Sequence, residues 1–179
     1  MFTGLAMTRE RERGTMENLL ATPVRPAEVM LGKIAPYVVI GYVQLMVILG
    51  AARVLFAVPM VGSRPLLGAM IGVFIVANLA VGFTFSTLAR NQLQAVQMTL
   101  FFFLPSMLLS GFMFPFAGMP RWAQWIGEVL PLTHFLRIVR GIMLKGSTLA
   151  ELLPELWALL AFTVVVSAVA LLRYRQTLD

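Results

Sequence analysis

The chain has 179 residues, of which 59% are hydrophobic and only 12% charged, and its mean hydropathy is +0.86. A soluble domain carries about 25% charged residues, so this chain has too little polar surface to cover one. Cysteine is absent, which excludes disulfides, zinc–thiolate centres and thiol catalysis, and the net charge of +6 is spread over loops and segment ends rather than gathered on a nucleic-acid face.

Residues 1–7 are apolar but too few to span a membrane, and they read as the last turns of a helix that begins earlier. Residues 9–33 follow. Arg and Glu alternate from Arg9 to Arg13, so this part is solvated and self-compensating. Gly14 breaks the run, and Thr15 is placed to cap a new helix. Met16, Leu19 and Leu20 then form one apolar stripe, and Glu17 sits in the first turn, where the helix dipole favours an acid. Thr22-Pro23 stops that turn, and Pro23 and Pro26 each suit the start of another. The prediction is a short amphipathic helix, a hard corner, and a second short helix reaching Gly32-Lys33 at the membrane surface. Two uses fit this pattern equally: a helix lying on lipid, or a knob that docks into a soluble partner. Glu12 and Glu17 count against adhesion to an anionic leaflet.

Four apolar segments come next, at 34–53, 66–89, 96–114 and 156–172. Each is near the roughly 20 residues a helix needs to cross a hydrocarbon core. None contains Asp, Glu, Lys or His, whereas an ion-coupled transporter uses an ionisable group at depth. The driving force is therefore expected from outside the spans. Pro36 and Pro105 should kink their helices, and Gly68/Gly72 and Gly82/Ser86 offer small-residue faces for close helix approach. Gln44, Asn78, Thr84, Ser106 and Ser110 are the polar groups at depth. Interhelical hydrogen bonding is the expected role of each, with lining of a substrate path as the second reading. Four spans leave both ends on one side. That side holds Arg9, Arg11, Arg13, Arg25, Lys33, Arg90, Arg173 and Arg175, so the positive-inside rule makes it the cytoplasm. The cations between 121 and 145 pull the other way.

Residues 115–146 lie opposite that side. They are too hydrophobic for a free loop yet are broken by Pro115, Pro120 and Pro131. Trp122, Trp125, Ile126 and Val129 share one helical face; Phe135, Ile138, Val139 and Ile142 share another. Two short helices in or dipping into the outer leaflet are predicted, serving as an anchor or as a lid over the mouth of a pathway. Enzymatic parts are missing. Asp179 is the lone Asp and His134 the lone His, no phosphate-binding GxxxxGK[ST] loop occurs, and no acid is placed to orient the imidazole. A catalytic, metal or cofactor site is not expected, and His134 reads as a structural residue.

The run Glu12, Gly14, Thr15, Glu17, Leu19, Leu20, Thr22, Pro23 resembles the cytoplasmic loop of type-2 ABC exporter permeases, the membrane subunits of one class of ATP-binding-cassette transporter. Gly111, Pro115, Pro120, Trp122, Pro131, Thr133, Arg140 and Gly141 resemble that family's signature ahead of its last helix. The resemblance covers essentially the whole chain. It implies an all-α integral membrane protein with four transmembrane helices, a cytoplasmic coupling helix and short external or re-entrant helices. It implies a permease subunit of an ATP-driven exporter, with ATP hydrolysis on a separate ATPase subunit docked on Gly14 to Pro23. A second permease copy would complete the pathway, with no cofactor and no nucleic acid, in a bacterial inner membrane with both ends of the chain cytoplasmic. Family members usually have six spans, so the N-terminal part of the domain is expected to be missing. An ion-coupled small membrane transporter and a non-transporting membrane scaffold are the competing expectations.

Overall fold

The computed structural model describes residues 26–176, which contain helices and short connections and no strand. In chain order they form α1 (Pro26–Phe56), α2 (Arg64–Leu88), α3 (Gln92–Leu109), a single 3-10 turn (Phe116–Gly118), α4 (Arg121–Val129), α5 (Pro131–Arg140), a wide π-type turn (Gly141–Lys145) and α6 (Leu149–Gln176). Four stretches are long and apolar enough to cross a membrane: Ala35–Phe56, Arg64–Leu88, Gln92–Leu109 and Leu149–Leu172. Successive spans alternate in direction. The end of α1, the start of α2, the end of α3 and the start of α6 therefore share one face, and α4 and α5 form a crown on it.

The element boundaries differ from expectation in instructive ways. The second short helix expected to end at Gly32-Lys33 is not separate from the first span, because α1 runs unbroken from Pro26 through Pro36 to Phe56; the corner expected at Thr22-Pro23 lies outside the described residues. Proline suits a first helical turn, and an N-terminal Pro26 costs α1 no hydrogen bond it would otherwise make. Helix α3 ends at Leu109 rather than at 114, where Ser110 caps it and Gly111 turns the chain with a φ of +82°. Helix α6 starts at Leu149, well ahead of 156. The Glu151 carboxylate accepts the Thr148 N–H at 3.1 Å, half of a capping box that the sequence Thr148-x-x-Glu151 spells out. Glu155 consequently sits inside α6, one residue ahead of the acid-free stretch 156–172.

Helix α2 is the centre of the fold. Its Leu67, Met70, Ile71 and Ala77 pack with Ile138 of α5, Ile142 of the π-type turn, and Leu152 and Leu159 of α6. A smaller cluster joins Phe83 of α2 to Ala170 of α6. Helix α1 leans on this core, and none of its described side chains is fully buried. The Gly68/Gly72 face serves a ring rather than a helix backbone: the Tyr42 hydroxyl lies over Gly72 and donates to the Gly68 carbonyl at 3.0 Å.

Of the polar groups at depth, Thr84 alone among those five has a partner on another helix, donating to the Val166 carbonyl of α6 at 3.3 Å as well as to Ala80 at 2.8 Å. Asn78 donates to Phe74 and Ser106 to Phe102, each one turn back on its own helix. Local back-bonding satisfies a hydroxyl or amide without a partner helix, which explains why interhelical bonding was over-expected.

Candidate functional site

The crown is assembled by a few short contacts. Pro131 opens α5 and is fully buried, its missing N–H harmless at that position. Thr133 is also fully buried, and its hydroxyl donates to the Gly127 carbonyl at 2.6 Å, fixing α5 to the end of α4. Gly127 in turn lies against α3: a Cβ there would come 2.5 Å from the Leu109 carbonyl, so only glycine fits. Arg140 reaches back from the end of α5 to donate to the Gly111 carbonyl at 3.0 Å. Gly141 packs on Leu152 of α6. Gly111, Thr133, Arg140 and Gly141 are thus parts of one structural lock. Pro115, Pro120 and Trp122 lie elsewhere, lining a shallow apolar cleft beside Leu108 and Phe114, with Trp122 61% exposed.

The two amphipathic faces part company. On α4 the stripe points outward, with Trp125 and Val129 more exposed than Trp122. On α5 the stripe points inward: Ile138 is buried and Phe135 stacks flat on Phe74 of α2, ring centres 3.9 Å apart. Phe74 lies about 15 Å along α2 from its start at Arg64, by the 1.5 Å rise per residue. Helix α5 is therefore wedged between α2 and α6 and does not lie flat on the fold.

A charge cluster that the sequence did not reveal clamps the wedge. His134, 8% exposed, places Nδ1 2.5 Å from a Glu155 carboxylate oxygen and Nε2 2.8 Å from the Glu128 carbonyl. Arg137 donates to both carboxylate oxygens of Glu128, at 2.5 and 2.9 Å, and to Glu155 at 3.4 Å. Its guanidinium also covers the Phe116 ring at 4.8 Å. The hydrogen bonds from Arg137 hold the Glu128 carboxyl below its ordinary range, outweighing the opposing effect of burial. The same bonds raise the Arg137 guanidinium above its ordinary value. The expectation that no acid faces His134 is thereby overturned, because Glu155 belongs to α6 and not to a linker. On the far side of the ring Nε2 meets the Glu128 carbonyl rather than a serine hydroxyl, and no group of three or more His, Asp or Glu suited to a metal occurs among the described residues.

Below the crown, α2, α3 and the start of α5 enclose a cleft of about 390 Å³. Phe74, Phe85, Phe102 and Leu132 dominate its wall, with Asn78, Thr99 and Ser106 as the polar points. Three of these groups spend their donors on their own helices, which leaves an aromatic surface with few hydrogen-bond donors. The residues expected to couple to an ATPase, Glu12, Gly14, Thr15, Glu17, Leu19, Leu20, Thr22 and Pro23, lie outside the described residues.

Comparison with known proteins decides the family. The family model for the ABC-2 type transporter membrane domain matches residues 1–144. The chain belongs to the ABC-2 type transporter family. It is 32% identical to the probable multidrug ABC transporter permease YbhS of Escherichia coli K12 over 180 residues, which covers 100% of this chain and 48% of that protein. It is 34% identical over 183 residues to the inner membrane transport permease YhhJ of the same strain, covering 99% of this chain and 48% of that protein. The ABC transporter G family member 20 of Dictyostelium discoideum is 30% identical over 165 residues, covering 92% of this chain and 22% of that protein. No solved structure matches. The chain spans about half the length of the bacterial permeases it matches, and like them it is a multi-pass membrane protein of this family.

Proposed function

We propose that this chain is the C-terminal portion of an exporter permease that is driven through residues 9–25 by a separate ATPase subunit. The observation that carries the reading is α1. It leaves the expected docking segment at Pro26 and continues without a break to Phe56, a rod of roughly 46 Å at 1.5 Å per residue. A displacement at its cytoplasmic end is in this reading carried along α1 to the crown face, and its sparse packing leaves it free to tilt against α2. In this reading Gly14 and Thr15 start the docking helix, Glu17, Leu19 and Leu20 contact the ATPase, and Thr22-Pro23 sets the corner angle, with Glu12 on its flank.

A second permease copy faces the first across the pathway, and the membrane is a bacterial inner membrane with both ends of the chain in the cytoplasm. The crown is then the outer gate. Gly111, Thr133, Arg140 and Gly141 hold it to the spans, and Pro115, Pro120 and Trp122 shape its lipid-facing shelf. The chain performs no chemistry of its own. The aromatic, donor-poor cleft below the crown favours apolar or amphipathic cargo, in keeping with the multidrug permease named among the relatives.

Absence of cysteine makes the topology directly measurable. Asn18→Cys and Arg121→Cys, each alone, are exposed to a membrane-impermeant maleimide in intact cells. Labelling of position 121 and protection of position 18 until lysis is the expected result. The reverse pattern overturns the assignment of sides.

A further inference from the structure

We propose that the cleft between α1 and α2 on the crown face binds an anionic phospholipid, its phosphate held between Arg53 and Arg64 and one acyl chain laid along the wall beneath. The cleft measures about 470 Å³, inside the roughly 300–1,000 Å³ range of small-molecule sites. Leu45, Leu49, Met60, Leu67, Ile71 and Met143 supply an apolar wall suited to a hydrocarbon chain. Arg53 and Arg64 are the charged residues of the lining, and no acid joins them. Arg53 lies in the last turn of α1 and Arg64 is the first residue of α2, so both stand at the same end of adjoining spans.

Charge complementarity names the occupant. Elsewhere on this face Arg137 is paired with Glu128 and Glu155, and Arg140 donates to the Gly111 carbonyl. Arg53 and Arg64 have no acidic partner among the described residues, and both are exposed. Two like charges line one apolar cleft, and an anion between them would offset their repulsion. Helix stability does not explain Arg64, since the dipole disfavours a cation at a helix N-terminus. Guanidinium groups bind phosphate oxygens in a two-pronged fashion. A neutral or zwitterionic lipid fits the wall but leaves the pair of charges uncompensated. The inference requires only that the chain sits in a membrane, and it is independent of the docking segment.

The test uses the whole chain, purified in detergent and exchanged into micelles holding equal phosphatidylglycerol and phosphatidylcholine, with retained lipid read by native mass spectrometry. Phosphatidylglycerol should be retained over phosphatidylcholine by about tenfold, and R53Q/R64Q should bring the ratio near parity. The R121Q/K145Q variant removes two other cations of the same face and should keep the preference. Met46→Trp narrows the cleft from an exposed position, leaves both arginines in place, and should lower phosphatidylglycerol retention several-fold; this arm stands even if R53Q/R64Q does not fold. Parity in the parent chain, failure to retain lipid because protein fills the cleft, an undiminished preference in R53Q/R64Q, an equal loss in R121Q/K145Q, or unchanged retention in Met46→Trp overturns the proposal.

Discussion

Ala57, directly after α1, has a φ of +49°, and the Val58 N–H bonds back to the Ala52 carbonyl at 3.3 Å. This is the usual way to end a helix with a left-handed residue, but glycine normally holds the position because an L side chain there costs about 1 kcal/mol or more. Ala57→Gly should therefore raise stability by about 1 kcal/mol, seen as a higher midpoint in SDS-titrated unfolding; a lower midpoint contradicts the assignment. His134 makes the opposite case. Its ring bonds the Glu155 carboxylate and the Glu128 carbonyl at once, so His134→Ala should cost about 2 kcal/mol and loosen the crown in the same assay. A loss below about 0.5 kcal/mol, the range of ordinary surface changes, would show that the contact does not hold the crown. The sequence reads His134 as structural, and in the fold its ring lies between the Glu155 carboxylate and the Glu128 carbonyl. Its partner was hidden because Glu155 is 21 positions away and α6 was expected to start beyond it. The Thr148-x-x-Glu151 capping signal would have placed the helix start correctly.

At the scale of elements, four long apolar runs, two short amphipathic helices and the breaks at Pro115, Pro120 and Pro131 were legible, because length and periodicity report burial in lipid or protein. Which of the two they report was not legible. The stripes of α4 and α5 look alike in sequence, yet Trp125 is exposed and Ile138 is buried, since only the folded chain shows which stripe meets α2. The link between these two helices has a predictable pH response. Bonding to Arg137 depresses the Glu128 carboxyl below its ordinary value of 4.5. The stabilisation it brings is complete above that pH and is lost as pH falls through the lower folded value. Arg137 is shifted upward from its ordinary value and stays charged throughout. Emission from Trp122 and Trp125 should therefore change on acidification below about pH 4.5, and Glu128→Gln should flatten the change. A change of the same size in Glu128→Gln would assign it to another carboxylate.

At the scale of the whole molecule, the proposed function joins a mechanical input to a continuous α1 and to a crown clamped by Thr133, Arg140 and the His134 cluster. Family membership was legible in two motifs; the one within the described residues, Gly111 to Gly141, sits where helices stop and turn, and such positions constrain residue type more tightly than a lipid-facing surface does. Cargo was not legible, since a wall of Phe and Leu serves packing, lipid and apolar substrate equally well. The central claim is that energy arrives through the segment around Glu17 from an ATPase partner. It is tested most directly by co-expressing the chain with a candidate ATP-binding-cassette ATPase subunit, purifying the two together and measuring cargo-stimulated ATP hydrolysis for the parent and for Glu17→Ala. A docking contact of the strength typical of interface anchors, about 2 kcal/mol, predicts a fall in stimulated hydrolysis or in ATPase recovered with the chain of roughly thirtyfold, with membrane insertion unchanged. Equal recovery of the ATPase together with equal stimulated hydrolysis in Glu17→Ala would contradict the claim.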